Sequence, residues 1–221
     1  MPKRKSKEFG DAVHHVPLSA KTENQQRYLN ALRTCTQVFA IGPAGTGKTF
    51  LPTAYAADLM RDKQIARIVL TRPNVPAGPS LGFFPGELEE KMAPWVVPFV
   101  ETIKERIGES HTEYLLKKRY IEIAPFETMR GRTFHDSIVI VDEAQNLTES
   151  EMFMILTRIG EESQLIVTGD VVQKDIKTVS GLEHAINIIN RDLVDAELVV
   201  FDHNDVVRGG ICAQWVKNWS R

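Results

Sequence analysis

Two short stretches carry residue types that act on phosphate. Gly42-Pro43-Ala44-Gly45-Thr46-Gly47-Lys48-Thr49 matches the spacing G-x-x-x-x-G-K-[ST], with an apolar run before it and a helical pattern through Met60 after it. Its three glycines let successive backbone N–H groups turn inward with no Cβ in the way, which makes a nest for an anion. A helix opening near Gly47 aims its partial positive end at the same anion. Lys48 would reach the β/γ-phosphate oxygens as a compact cation, and the Thr49 hydroxyl would hold Mg²⁺. About ninety residues on, the apolar run Ile138-Val139-Ile140-Val141 ends in Asp142-Glu143. Asp142 is expected to bind Mg²⁺ through water, and Glu143 to orient and activate an attacking water. Leu165-Ile166-Val167-Thr168-Gly169-Asp170-Val171-Val172-Gln173 is a third apolar run with polar residues behind it. Paired between the other two, it would deliver Asp170 and Gln173 beside the γ-phosphate.

The elements that must position these groups are legible as alternation. Apolar runs at 37–41, 67–71, 120–124, 137–141, 164–168 and 197–201 are apolar almost throughout, as strands buried on both faces of a parallel sheet are. Helical patterns lie between them. Thr148-x-x-Glu151 and Ser180-x-x-Glu183 are capping boxes, the first opening a helix expected to stop at Gly160. Thr22 to Leu32 is a further expected helix, with Thr22 as its cap. Pro52 falls early enough in the helix after Thr49 to be tolerated. The stretch 72–100, with prolines at 73, 76, 79, 85, 94 and 98, cannot be one long helix and reads as a shaped loop beside the strand ends. The sum is an α/β fold: one mostly parallel sheet with helices on both faces.

Composition excludes several classes. At 221 residues the chain accommodates one such domain, over 21–221, behind a basic N-terminal tail or linker, 1–20, in which Lys3, Arg4, Lys5 and Lys7 repel one another. No apolar run approaches the ~20 residues that cross a bilayer, so no membrane partner is expected. Cys35 and Cys212 lie far apart and read as buried, reduced thiols of a cytoplasmic protein. A net charge of −2 means that any nucleic acid must be held by a local basic surface.

Taken together, Gly42–Thr49, Asp142-Glu-Ala-Gln-Asn146 and Gly169-Asp-x-x-Gln173 resemble motifs I, II and III of superfamily 1 helicases. More closely, the chain is similar to the PhoH-like (phosphate-starvation-inducible) ATPases. Asn24-Gln25-Gln26-Arg27-Tyr28, Thr71-Arg72-Pro73, Leu81-Gly82-Phe83-Phe84-Pro85-Gly86, Met129-Arg130-Gly131-Arg132-Thr133 and Asp205-Val206-Val207-Arg208 carry that likeness over roughly residues 22–215. It implies a single RecA-like P-loop NTPase core, ATP and Mg²⁺ as cofactors, and a link to RNA or single-stranded DNA. Gln25 would read the adenine edge and Arg208 would contact the γ-phosphate. The chain departs from the family habit at Pro76, Ser80, Lys177 and Gly209, and its length leaves no room for a nuclease or KH-type module.

Candidates for gripping nucleic acid are Arg72, Phe83, Phe84, Arg130 and Arg132: arginines for phosphates, and a phenylalanine to stack a base or, equally, to fill core. Ile211, Trp215 and Trp219 fall at helical spacing, which reads as core or a subunit contact. A superfamily 1 motor closes its ATP site with a second RecA-like domain, and the residues after Phe201 are expected to be too few for one. A head-to-tail ring of identical chains, a hexamer, is therefore expected, with Arg130 or Arg132 reaching a neighbour's site. Two other readings remain: a P-loop kinase of a small molecule, against which Glu143 argues, and a nucleotide-dependent binding switch with little turnover.

Overall fold

The structure is a computed structural model that describes residues 16–73, 88–176, 178–207 and 209–218. The apolar runs are strands: β1 (Gln37–Ile41), β2 (Arg67–Arg72), β3 (Ile121–Pro125), β4 (Ser137–Val141), β5 (Gln164–Gly169) and β6 (Glu197–Val200). They form one sheet in the order β3-β2-β4-β5-β1-β6, and every pairing is parallel. The strand of the third motif, β5, does lie between the P-loop strand β1 and the Asp142 strand β4.

Alternation along the strands divides the core in two. Val38, Ala40, Ile68, Leu70, Ile138, Ile140 and Ile166 face one side. They pack there with residues of α1 (Glu23–Thr34), α2 (Phe50–Arg61), α3 (Leu88–Ile107) and α4 (Glu109–Lys117). Phe39, Ile41, Val69, Val139, Val141, Leu165 and Val167 face the other. They meet α5 (Glu149–Leu156) and α6 (Gly181–Ile189). The structure is thus a RecA-like α/β sandwich. With about 1.5–3 kcal/mol for each large apolar side chain buried, the central strands are held rigidly, and their ends make a firm base for a site.

The predicted helix starts hold. The Thr22 side chain caps α1 by accepting from the Gln25 N–H, and both capping boxes are formed. The two boxes also meet: Thr148 and Ser180 form an antiparallel bridge, with the Gly181 N–H donating to the Leu147 carbonyl at 2.8 Å.

Three expectations need correction. Helix α5 ends at Leu156, not Gly160. The Thr157 hydroxyl turns back onto the Phe153 and Met154 carbonyls. The chain then runs extended beside Phe134, whose N–H and C=O bond Arg158 and Gly160. Helix α3 takes in Pro94 and Pro98, where proline content alone predicts a loop. Spaced four apart, the prolines lose donors along one line of the helix, so the damage stays local. Of the two readings given for Ile211 and Trp215, core within the chain is the one that fails: on helix α7 (Ile211–Asn218) they are 63% and 61% exposed. Among the described residues, no helix is long and apolar enough to cross a membrane.

Candidate functional site

Because all strands point the same way, β1, β2, β4 and β5 bring Gly42, Arg72, Asp142 and Asp170 to one edge of the sheet. That edge is where open α/β sheets bind ligands. The P-loop leaves β1 with Gly42, Gly45 and Gly47 at φ of 143°, 86° and 87°, values that suit glycine. At Gly42 space demands glycine as well, since a Cβ there would lie 2.4 Å from the Phe201 carbonyl oxygen. Helical bonding begins where the loop ends, with the Leu51 N–H donating to the Gly47 carbonyl at 2.9 Å.

The loop is pinned from outside by groups distant in sequence. Gln25, only 3% exposed, donates from Nε2 to the Thr46 carbonyl (2.9 Å) and accepts at Oε1 from the Lys21 N–H (2.8 Å). Both ends of this amide are thus used inside the chain, and the structure places it beneath the loop. The Tyr28 hydroxyl donates to the Lys48 carbonyl at 3.1 Å. Burial, and secondarily the Asp142 charge, push the Tyr28 pKa well above the ordinary 10, so the hydroxyl keeps its proton and remains a donor. The Val207 N–H reaches the Gly45 carbonyl at 3.1 Å. Lys48 Nζ donates to the Pro43 carbonyl at 3.2 Å, folded over the loop it belongs to.

Asp142 is 6% exposed, and its Oδ1 accepts from both Thr49 (3.0 Å) and Thr168 (2.6 Å) hydroxyls. The separation of the Thr49 and Asp142 oxygens fits a shared ion, because neighbouring ligands of an octahedral Mg²⁺ at ~2.1 Å stand about 3 Å apart. Among the described residues no cluster of three or more His, Cys, Asp or Glu could hold a metal by itself. Such a sparse donor set suits Mg²⁺, which keeps waters and takes most remaining oxygens from a nucleotide.

Glu143 follows in the left-handed conformation, φ 53°, uncommon for a residue with a side chain and found preferentially where function holds it. Its Oε2 accepts from Gln145 Nε2 at 2.6 Å, and its Oε1 faces Arg72 at 4.0 Å. Lys48, Thr49, Arg72, Trp95, Asp142 and Glu143 share one cleft of about 440 Å³. Arg72 also lies 6.0 Å from the Trp95 ring centre. Asp170 is 7% exposed, and its Oδ1 accepts from the Val172 N–H. Gln173 is exposed and lines an adjoining hollow on the other flank of the P-loop, with Pro43 and Ala44.

Arg132, expected to meet phosphate, is committed elsewhere. It forms a fork to both Glu122 oxygens (2.6 and 2.8 Å) and lies 4.9 Å from the Phe134 ring centre. The Arg132 bond holds the Glu122 carboxyl below its ordinary range despite burial. Arg130 is exposed just beyond the C-terminal end of β3. Phe83, Phe84 and Arg208 lie outside the described residues, as do Pro76, Ser80, Lys177 and Trp219. The individual roles of Gln145, Thr168, Tyr28 and Trp95 escaped the sequence. Gln145 alone left a signal, as a polar residue directly behind the paired acids.

The sequence profile of the PhoH-like protein family matches residues 17–220. The chain belongs to this family. It is 42% identical over 206 residues to the PhoH-like protein of Bacillus subtilis (strain 168), covering 92% of the chain and 64% of that protein. It is 40% identical over 214 residues to Protein PhoH of Escherichia coli (strain K12), covering 95% and 60%. The chain therefore spans about three fifths of the length of these curated relatives. Solved structures that align with it include the large terminase of a thermophilic bacteriophage (TM-score 0.49, 9% identity, 87% of this chain and 48% of that one). Another is the Pif1 helicase of Candida albicans (TM-score 0.41, 18% identity, 84% and 41%). The PhoH-like chain has the fold of a P-loop NTPase, with its cradle, paired acids and third-motif loop at one strand edge.

Proposed function

We propose that this PhoH-like domain hydrolyses ATP with Mg²⁺ and couples that reaction to RNA or single-stranded DNA. The observation that carries the reading is the 3.0 Å approach of Thr49 Oγ1 to Asp142 Oδ1, with Lys48 and Glu143 in the same cleft. The loop amides and Lys48 bind the phosphates, while Thr49 and Asp142 would hold Mg²⁺, which supplies charge neutralisation at the transferring phosphoryl group. Glu143 takes the proton of the attacking water as it adds to the γ-phosphorus, while the bond to the β–γ bridging oxygen breaks and ADP leaves. A glutamate beside the cleft favours water as acceptor over a small-molecule alcohol, which separates this reading from a kinase. Gln173 would sense the γ-phosphate and Gln25 the base, the latter after releasing one of its present partners.

Arg72 supports the nucleic-acid half of the proposal. It stands at the mouth of the cleft with its side chain 36% exposed and within reach of an aromatic ring. A phosphate-binding arginine beside a stacking surface is what a single strand uses. The same reading extends to closure of the cleft by a second copy in a ring, a hexamer; the part-exposed side chains of Arg72 and Glu143 (36% and 35%) leave room for a neighbour's group and support it.

The test is ATP turnover by the purified chain, with and without single-stranded RNA or DNA, alongside the mass of the assembly in ATP and Mg²⁺. Stimulated turnover by an oligomer is the expected result. Tight ATP binding with no turnover under any condition would replace the ATPase reading with a binding switch.

A further inference from the structure

The Gln145 side chain bonds three parts of the proposed machinery at once: Glu143, Asp170 and Gln173. The side chain is 1% exposed and its amide is fully used. Nε2 donates to Glu143 Oε2 at 2.6 Å and to the Gln173 carbonyl at 3.3 Å, while Oε1 accepts from the Asp170 N–H at 3.0 Å. The amide can be placed only one way round. The Asp170 N–H donates and never accepts, the Gln173 carbonyl accepts and never donates, so oxygen must face the first and nitrogen the second.

Its backbone is fixed too. The Gln145 carbonyl accepts from the Ser180 hydroxyl at 2.8 Å, and the residue lies in a short 3-10 turn, Ala144–Asn146, that begins at Glu143. Space around the amide is closed. A Cβ on Gly169 would stand 2.8 Å from Gln145 Oε1, so glycine at the end of β5 is what admits the amide against that strand.

We infer that Gln145 is a positioning residue, which ties the carboxylate of Glu143 to the backbone of the 170–173 loop. This rests on the proposed hydrolysis with Glu143 as base. Two consequences follow from the bond directions. The amide N–H fixes one oxygen of Glu143, leaving the other to take the proton from water, so the carboxylate is oriented before any substrate arrives. Any shift of the 170–173 backbone, which carries Gln173, the proposed γ-phosphate sensor, moves the amide and hence the base. Sensing of the triphosphate and placement of the base are thereby linked through a single side chain.

Two substitutions test this, with ATP turnover and ATP affinity measured for each. Gln145→Met keeps the length and volume but loses every polar bond. It is expected to lower kcat about 10–100-fold, the size of effect that a misplacement of about 1 Å produces, with ATP affinity within about threefold. Placed in a Glu143→Gln background, the same change should reduce turnover no further, since the group it orients is already gone. Gln145→Glu keeps the acceptor for the Asp170 N–H but opposes Glu143 with a second carboxyl. Turnover of this variant is expected to fall about as far as that of Gln145→Met, because a carboxylate repels Glu143 where the amide N–H held it.

A general packing role would instead lower affinity together with kcat and add fully to Glu143→Gln. Either outcome overturns the inference. Should Gln145→Met not fold, Gln145→Leu carried through the same pair of backgrounds decides. If Glu143→Gln itself retains full turnover, the hydrolytic reading fails first. If Glu143→Gln is inactive and Gln145→Met is not, the inference fails and the reading stands.

Discussion

The P-loop divides two unlike hollows. On one flank is the cleft with Lys48, Thr49, Arg72, Asp142 and Glu143. On the other lies a larger, mostly apolar depression of about 570 Å³, lined by Pro43, Val172, Val200, Phe201 and Trp215 among others. The first gathers the charged groups and is cross-linked, with Asp142 Oδ1 accepting from Thr49 and Thr168 and Glu143 Oε2 from Gln145. The second has exposed apolar rims, with Val172 86% exposed. Charges are worth most where dipoles are fixed in advance, whereas apolar surface is worth most when another surface covers it. The contrast teaches that one loop borders two unlike surfaces: fixed charges on one side and exposed apolar groups on the other.

The largest expected effect separates the two flanks. Lys48→Ala should abolish nucleotide binding. Glu143→Gln should bind ATP and Mg²⁺ but lose about 10²–10⁴ in turnover, the range for removing a general base. Trp215→Ala, across the loop, should leave ATP affinity of the single chain within about twofold. Calorimetric titration and phosphate release measure all three; equal losses on both sides would erase the distinction.

An intermediate effect distinguishes two arginines that look alike in sequence. Arg72→Ala should flatten the log–log salt dependence of single-strand binding by about 0.7, one phosphate contact. Arg132→Ala should leave that slope alone and lower stability by about 1 kcal/mol, since it breaks a partly exposed fork to Glu122. Fluorescence binding across a salt series reads the first, and denaturant unfolding the second. A salt slope altered by Arg132 and not by Arg72 would reverse the assignment.

The smallest effect concerns the outer brace of the loop. Asp205 is buried, which by itself raises its pKa. Hydrogen bonds from Thr22, Asn24 and the Asp202 N–H outweigh this and hold the pKa below the ordinary 3.8. A depressed carboxyl stabilises the fold above the unfolded value, and the benefit disappears as pH falls through the folded one. Asp205→Asn should therefore cost about 1 kcal/mol at pH 7 and progressively less below about pH 4. Melting curves at neutral pH and in acid decide it; a gap that widened in acid would refute the account.

Much of this was legible in the sequence because it depends on local rules. Runs such as Ile138–Val141 are apolar on both faces, and only a covered parallel sheet accepts them. Gly42–Thr49 and the capping boxes at Thr148 and Ser180 declare themselves by spacing. What escaped depends on long-range contact. Arg132 resembles a phosphate ligand until Glu122, on the neighbouring strand, is seen to hold it. Gln145 looks like any polar residue behind a strand until β5 brings the Asp170 N–H to its oxygen. Helix α3 overrides two prolines because packing at Phe99 and Ile103 offsets bonds that propensity counts as lost.

The brace on the P-loop has a consequence in time. Thr22 donates to Asp205 at 2.6 Å across 183 residues of sequence, and Val207 follows directly onto Gly45. Closing so long a span is entropically costly and belongs late in folding. The cradle at residues 42–49 is synthesised early and yet finished late, once the chain near residue 207 returns to it. A cradle braced in this way is expected to reach its final form only after the sixth strand is in place.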